Sequence, residues 1–282
     1  MSDVSRNSRL LILAGVIAVA VVGAIVAAVL GHSSSKGTVK TLPPVTTAAP
    51  TTTSGATTSS ATTSSATTAT SPATTTTALT AKQRALAELK LERSALALLF
   101  EGIPQQGAFL GKSSAPATLV VYEDPQCPYC AQWNLDTLST VLAQFVRTGR
   151  IKLQYRGIEI IGANSVPGLR AIEAAGLQNK LWNLSEAFYE HQGKENSGWI
   201  TAPVVAALGQ VAQVNVKQLF ADANSKAVTT ALEQSAAAAT AAKVGGTPTF
   251  VLLNPPALPK TLQLTSLEPA GFIPVLTAAL GA

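Results

Sequence analysis

Cysteine is almost missing from this 282-residue chain, which has only Cys127 and Cys130. A secreted domain stapled by disulfides carries four, six or eight cysteines, widely spread, so this pair does not brace a small core. The roughly 200 residues after position 80 can bury enough apolar surface without staples. Histidine is equally scarce, with His32 and His191 only. A structural zinc needs four ligands, so a metal at the two cysteines would require a second chain. No metal and no cofactor is expected. A basic excess is also lacking where it would matter. Of the formal net charge of +5, residues 81–282 account for +2, from 16 Lys/Arg against 14 Asp/Glu. That leaves no electrostatic footprint for nucleic acid.

The N-terminal third holds two segments of contrasting character. Leu10 to Leu30 is an unbroken run of 21 residues drawn from Leu, Ile, Val, Ala and Gly. As a helix it spans a bilayer core roughly 30 Å thick. A secretory h-region is shorter, so an uncleaved signal anchor is favoured over a cleaved signal peptide. No cysteine follows the run before Cys127, which excludes a lipid-modified N-terminus. Arg6 and Arg9 precede the run, and only His32 and Lys36 follow closely. The positive-inside bias then places residues 1–9 in the cytoplasm and everything after residue 30 outside it. Residues 31–80 are dominated by Thr, Ser, Ala and Pro and include a five-residue repeat at 57–61 and 62–66. Such a segment buries too little apolar surface to offset chain entropy, so a disordered linker is expected. An O-glycosylated stalk and a plain spacer both fit it. Its coil span is roughly 40 Å.

Residues 81–282 read as one α/β domain. Leu86, Leu89, Leu96, Leu99 and Phe100 recur at helical spacing over 81–100. Residues 108–110 suit a short edge strand, 118–122 a buried strand and 151–155 an alternating one. Between the last two, a helix is expected over 130–147, with Trp133, Leu138, Val141, Leu142 and Phe145 as its buried stripe. A helical block of about 165–244 follows, with helices at 181–190, 202–208 and 217–244. Strands at 249–253 and 261–264 and a helix at 269–280 close the chain. The order is strand, helix, strand, helical block, strand, strand, helix, with helices on both faces of a central sheet.

The chemistry gathers at Cys127-Pro128-Tyr129-Cys130. Cys127 falls where a strand ends and a helix begins. Amides of a first helical turn lack internal partners and carry partial positive charge, which favours a thiolate there. Pro128 suits the first turn because its missing amide would have had no partner. Cys130 lies one turn on, near enough to close a disulfide but deeper. Cys127 is therefore expected to be the attacking sulfur, reachable from solvent, and Cys130 the resolving one. A structural disulfide closing so short a loop would stabilise little. Far along the chain, Gly245-Gly246-Thr247-Pro248-Thr249 places a proline at the start of a strand, where its lack of an N–H is harmless.

At these residues the chain resembles the DsbA-like thiol:disulfide oxidoreductases of the thioredoxin superfamily, here membrane-anchored. Gly246-Thr247-Pro248-Thr249-Phe250 is similar to their cis-proline loop. Residues 118–130, with Asp124-Pro125-Gln126 ahead of the cysteines, resemble their active-site strand and helix start. The leader Gly102-Ile103-Pro104-Gln105 and the long helical gap before Pro248 also fit, so the likeness covers about residues 92–282. It implies a thioredoxin-like fold with a helical insertion and a redox disulfide between Cys127 and Cys130. It further implies a cis Thr247–Pro248 bond beside that disulfide, where an ordinary trans turn proline is the alternative. The Thr247 backbone would pair with an extended substrate segment. The implied partners are exported, unfolded or partly folded cysteine-containing proteins and a quinone-linked membrane oxidase that restores the disulfide. The same site run as a reductase or isomerase is an alternative, and so is a non-catalytic adaptor domain on a stalk. The dipeptide Pro128-Tyr129 departs from the Pro-His of the family's strongest oxidants and implies a less oxidising couple. The acid that relatives place six residues before the first cysteine is Val121 here. Glu123 has the same strand parity and is either a substitute proton relay or a solvated strand-end charge. Trp133, Trp182 and Trp199 are expected in packing, Tyr129 and the rim of Pro248 against an unfolded chain, and His191 exposed or capping a helix.

Overall fold

The computed structural model describes residues 80–281. The cytoplasmic segment, the anchor and the linker expected over 1–79 lie outside the described residues. Among those described, no helix is long and apolar enough to cross a membrane.

Helix α1 (Ala81–Phe100) opens on a capping box. The Gln83 amide donates to Thr80 Oγ1 at 3.3 Å and the Thr80 amide to Gln83 Oε1 at 2.9 Å, satisfying two end donors at once. Thr80, expected as the last linker residue, is therefore the N-cap of the first helix. A small hairpin follows, β1 (Gln105–Gln106) and β2 (Phe109–Leu110), where a single edge strand was expected. Then come β3 (Ala117–Glu123) and a long helical run, α2, over residues 128–146. The run begins as an α-helix at Pro128 rather than at Cys130. It passes through π-helical turns at Asn134–Leu138 and Leu142–Val146 without leaving the helical region. Gly149, at φ +76°, provides the left-handed turn into β4 (Ile151–Gly157).

The helical insertion comprises α3 (Val166–Gly176), α4 (Leu181–Glu190), α5 (Ala202–Val211), α6 (Val216–Asp222) and α7 (Lys226–Ala241). The single helix expected over 217–244 is two. Ser225 accepts from the Val228 amide and starts α7 afresh, while Asn215 caps α6. The chain closes with β5 (Thr249–Leu253), β6 (Lys260–Thr261) and α8 (Pro269–Leu280). Strand β6 is shorter and earlier than the expected 261–264.

The sheet order is β1-β2-β4-β3-β5-β6. Strands β3 and β4 are parallel, joined through α2, and β5 returns antiparallel to β3. Period-two alternation sends Leu119, Val121 and Glu123 to one face of β3, and Val120 and Tyr122 to the other. The first face meets the main core of α1, α2, the insertion and α8, where Trp133 packs on Phe250 and Phe272 at ring distances of 4.9 and 5.7 Å. The second is covered by Ala238 and Ala239 of α7. Trp182 and Trp199 also pack inside, as expected. Both ends of the motif pair, Cys127 and Pro248, thereby come to one end of adjacent strands β3 and β5.

Candidate active site

The loop from β3 to Cys127 is held by a buried carboxyl group. Asp124 Oδ1 accepts from the Gln126 amide at 2.8 Å and the Ser165 hydroxyl at 2.6 Å. Its Oδ2 accepts from the amides of Ile160 and Ile161 at 2.9 Å each. The Gln126 side chain donates to Ser165 Oγ at 2.9 Å and accepts from the Asn196 amide at 2.9 Å. Gln192 donates to the carbonyls of Pro125 and Cys127 at 2.9 and 3.1 Å. Asp124 and Gln126 were visible in the sequence only as part of the pre-cysteine run, while Ser165, Gln192 and Asn196 come from a distant stretch that carries no motif.

Cys127 is the N-cap of α2, with Pro128 in the first turn. Both cysteines are free thiols in this structure. Cys130 is fully buried, and Cys127 keeps only 2% of its surface exposed, so it is less accessible than the sequence suggested. It nevertheless sits in shallower surroundings than Cys130, and through Thr247 it adjoins an open groove lined by Tyr129, Lys243, Thr247, Pro248, Gln263 and Leu264. Pro128 and Tyr129 are exposed beside it. The Thr247–Pro248 bond is cis, and Gly246, Thr247 and Pro248 are half-buried across from the cysteines. The Cys127 Sγ–H donates to the Thr247 carbonyl at 3.1 Å.

The two sulfurs are driven apart in acidity. Cys127 is lowered to about 6, first by the hydrogen bond with the Cys130 thiol, while burial pushes the other way and the Thr247 side chain and the amides of Cys130 and Tyr129 lower it further. The neighbouring thiol thus outweighs the helix-start amides on which the sequence argument leaned. Cys130 is pushed well up, chiefly by burial and then by its bond to Cys127 and the nearby Glu123.

Glu123 is fully buried, which removes the solvated strand-end reading. Asn134 Nδ2 donates to its Oε1 at 2.6 Å and to the Cys130 carbonyl at 2.9 Å, placing the carboxyl next to the resolving cysteine. Its Oε2 has no partner. Burial raises its pKa well above the carboxylate range, opposed by the Asn134 bond and reinforced by Glu186 and Cys127. Tyr189 of α4 packs in one apolar cluster with the two cysteines and Ala131, and its hydroxyl lies 3.4 Å from the Asp124 carbonyl. His191 is not exposed. It follows α4 as its C-cap, with a side chain 9% exposed and Nε2 3.7 Å from Glu92. Among the described residues, no three His, Cys, Asp or Glu side chains cluster to hold a metal ion.

A dithiol at a strand-to-helix junction, faced by a cis-proline loop on a mixed sheet with a helical insertion, defines the thioredoxin-like class. The model of the family described as Thioredoxin matches residues 104–254, more than half of the chain, and the chain belongs to that family. The "Probable disulfide bond formation protein D" of Bacillus cereus is 29% identical over 143 residues, covering 49% of this chain and 66% of the relative. The chain thus spans just under two thirds of the length of this curated relative. Two solved structures share the fold. Oxidised BdbD from Bacillus subtilis has a TM-score of 0.53 at 18% identity, covering 64% of this chain and 95% of its own. Wolbachia pipientis alpha-DsbA1 has a TM-score of 0.52 at 12% identity, covering 64% and 92%.

Proposed function

We propose that this chain is a protein-disulfide oxidoreductase that works as an oxidant, passing a Cys127–Cys130 disulfide to exported proteins outside the cytoplasm. The observation that carries the reading is the paired geometry of Cys127: acidified by Cys130 and in contact with Thr247 beside the cis-proline. In the oxidised form, a substrate thiolate attacks Cys127 Sγ and breaks the Cys127–Cys130 bond, leaving a mixed disulfide. A second substrate thiolate then attacks the substrate sulfur of that bond and leaves with the new disulfide. Cys127 departs as a thiolate, and its depressed pKa makes it a good leaving group. Stabilising that thiolate stabilises the reduced protein and so favours oxidation of the substrate. Once Cys127 is in a mixed disulfide it no longer donates to the Thr247 carbonyl. That carbonyl is then free to accept from the amide of an extended substrate strand lying in the groove.

Residues 10–30 are the proposed anchor, residues 31–79 the tether, and a quinone-linked membrane oxidase the proposed source of oxidising equivalents. The relative's name as a disulfide bond formation protein supports the direction of the chemistry. The test is catalysis of disulfide formation in a reduced, unfolded protein by the oxidised full-length chain. The wild type transfers its disulfide stoichiometrically. Cys127→Ser abolishes transfer, and Cys130→Ser, loaded beforehand at Cys127 with glutathione as a mixed disulfide, releases glutathione and accumulates a mixed disulfide with the substrate. Absence of transfer from the wild type would leave the adaptor reading in its place.

A further inference from the structure

Glu123 is sealed from water, yet a resolving step that moves a proton through it must exchange that proton with solvent. Helix α4 offers a route. It packs on the start of α2 and on the turn that carries Asn134, the partner of Glu123. Tyr189 of this helix belongs to the apolar cluster of the two cysteines, and Glu186, one turn earlier, bears electrostatically on Glu123. Glu186 is 4% exposed, and its Oε2 has no hydrogen-bond partner. Glu190 lies one further turn along, at the i, i+4 spacing that puts two side chains on the same face, and it is exposed. The three carboxyls therefore grade from fully buried through nearly buried to solvent, and the first two each hold an unpaired oxygen facing a dry interior.

We propose that Glu186 and Glu190 carry protons between Glu123 and solvent, making α4 the proton path of the disulfide-forming step. The inference rests on the disulfide-exchange reading above. Burial raises Glu186 to about 8; Glu190 reaches solvent, but partial desolvation of its carboxyl by the packed protein beside it, with Glu92 nearby, raises it to about 7, so both exchange protons near neutrality. The other titratable groups around the path are Asp124 after β3, Cys127 and Cys130 at the start of α2, Tyr155 of β4, Tyr189 and His191 at α4, Glu92 of α1 and Glu173 of α3. In the step itself, Cys127 begins as a mixed disulfide with a small thiol. The Cys130 sulfur attacks Cys127 Sγ, the bond to the small thiol breaks, and that thiol leaves with the electron pair. The Cys130 proton passes to Glu123, then Glu186, then Glu190 and water. The two cysteines are oxidised and the incoming disulfide is reduced.

The experiment reacts the reduced full-length chain with oxidised glutathione and follows two events from pH 6 to pH 8. These are formation of the Cys127–glutathione adduct and release of the second glutathione by Cys130. Glu186→Gln and Glu190→Gln are expected to leave adduct formation unchanged and to slow release by roughly 10- to 100-fold. A small weak acid such as acetate should restore release in Glu190→Gln, because it substitutes for the missing surface carboxyl. Exposed Glu190 keeps the test valid even if Glu186→Gln misfolds. Release at the wild-type rate in Glu190→Gln, or slow release that acetate does not restore, overturns the path while leaving disulfide exchange intact. A wild type that forms no adduct overturns both readings.

Discussion

At the scale of single residues, Glu123 shows where sequence reasoning stopped. Strand parity put it on the core face of β3, but a strand-end acid also reads as a solvated charge, and only the packing of α2 decides between them. Asn134 reaches it because α2 is one continuous helix bearing a π-helical turn, a feature without a sequence signature. A buried carboxyl whose pKa is raised above its unfolded value adds stability at low pH. That contribution is lost as pH climbs from the unfolded carboxylate value through the folded one. Glu123→Gln removes the penalty of ionising in the core. The variant is expected to exceed the wild type in unfolding free energy at pH 8 by about 1 kcal/mol or more, read from denaturant titrations, with the gap closing toward pH 4. The same variant should alter the pH profile of Cys130. An unchanged profile would remove Glu123 from proton transfer.

At the scale of elements, most of the order along the chain was legible because it rests on local patterns. Apolar runs marked β3 and β5, proline marked the starts of α2, α3 and α8, and glycine closed α2. What escaped were joints and short strands. The 217–244 segment is rich in alanine throughout, so nothing but the Ser225 cap signals the break between α6 and α7. Strands of two residues, such as β1 and β6, exist through their partners and not through their own composition. The joint that matters most is where α2 meets the sheet and α8. Trp133 fills it between Phe250 and Phe272 with no exposed surface. Trp133→Ala is expected to lower the unfolding free energy by about 3–5 kcal/mol. Because β5 begins just after Pro248, the variant should also loosen the proline loop, seen as faster alkylation of Cys127. A loss below about 1 kcal/mol would mean that the three rings do not form the packed centre described here.

At the scale of the whole molecule, the α/β class and the helical insertion were legible because two distant motifs had to meet. Cys127 and Pro248 are far apart in sequence, and β3 and β5 pair to bring them together. The polar frame around Asp124 was not legible, since Ser165, Gln192 and Asn196 belong to an insertion whose packing no periodicity encodes. The dithiol imposes a pH dependence on the entire fold. A cysteine with a depressed folded pKa contributes stability above its unfolded value, lost as pH falls through about 6. The reduced protein should therefore gain in melting temperature relative to the oxidised one as pH rises from about 6 to 8, before the unfolded Cys130 thiol, whose folded pKa is raised, begins to ionise and take stability away; carboxyls common to both forms largely cancel in the comparison. The most direct check on the account is an ultraviolet titration of the thiolate in the reduced chain, with Cys127→Ser as the blank. A transition near pH 6 that disappears in the variant is the predicted result. A single transition at the value of an ordinary free cysteine would show that Cys130 and the start of α2 do not activate the sulfur, and would contradict the account.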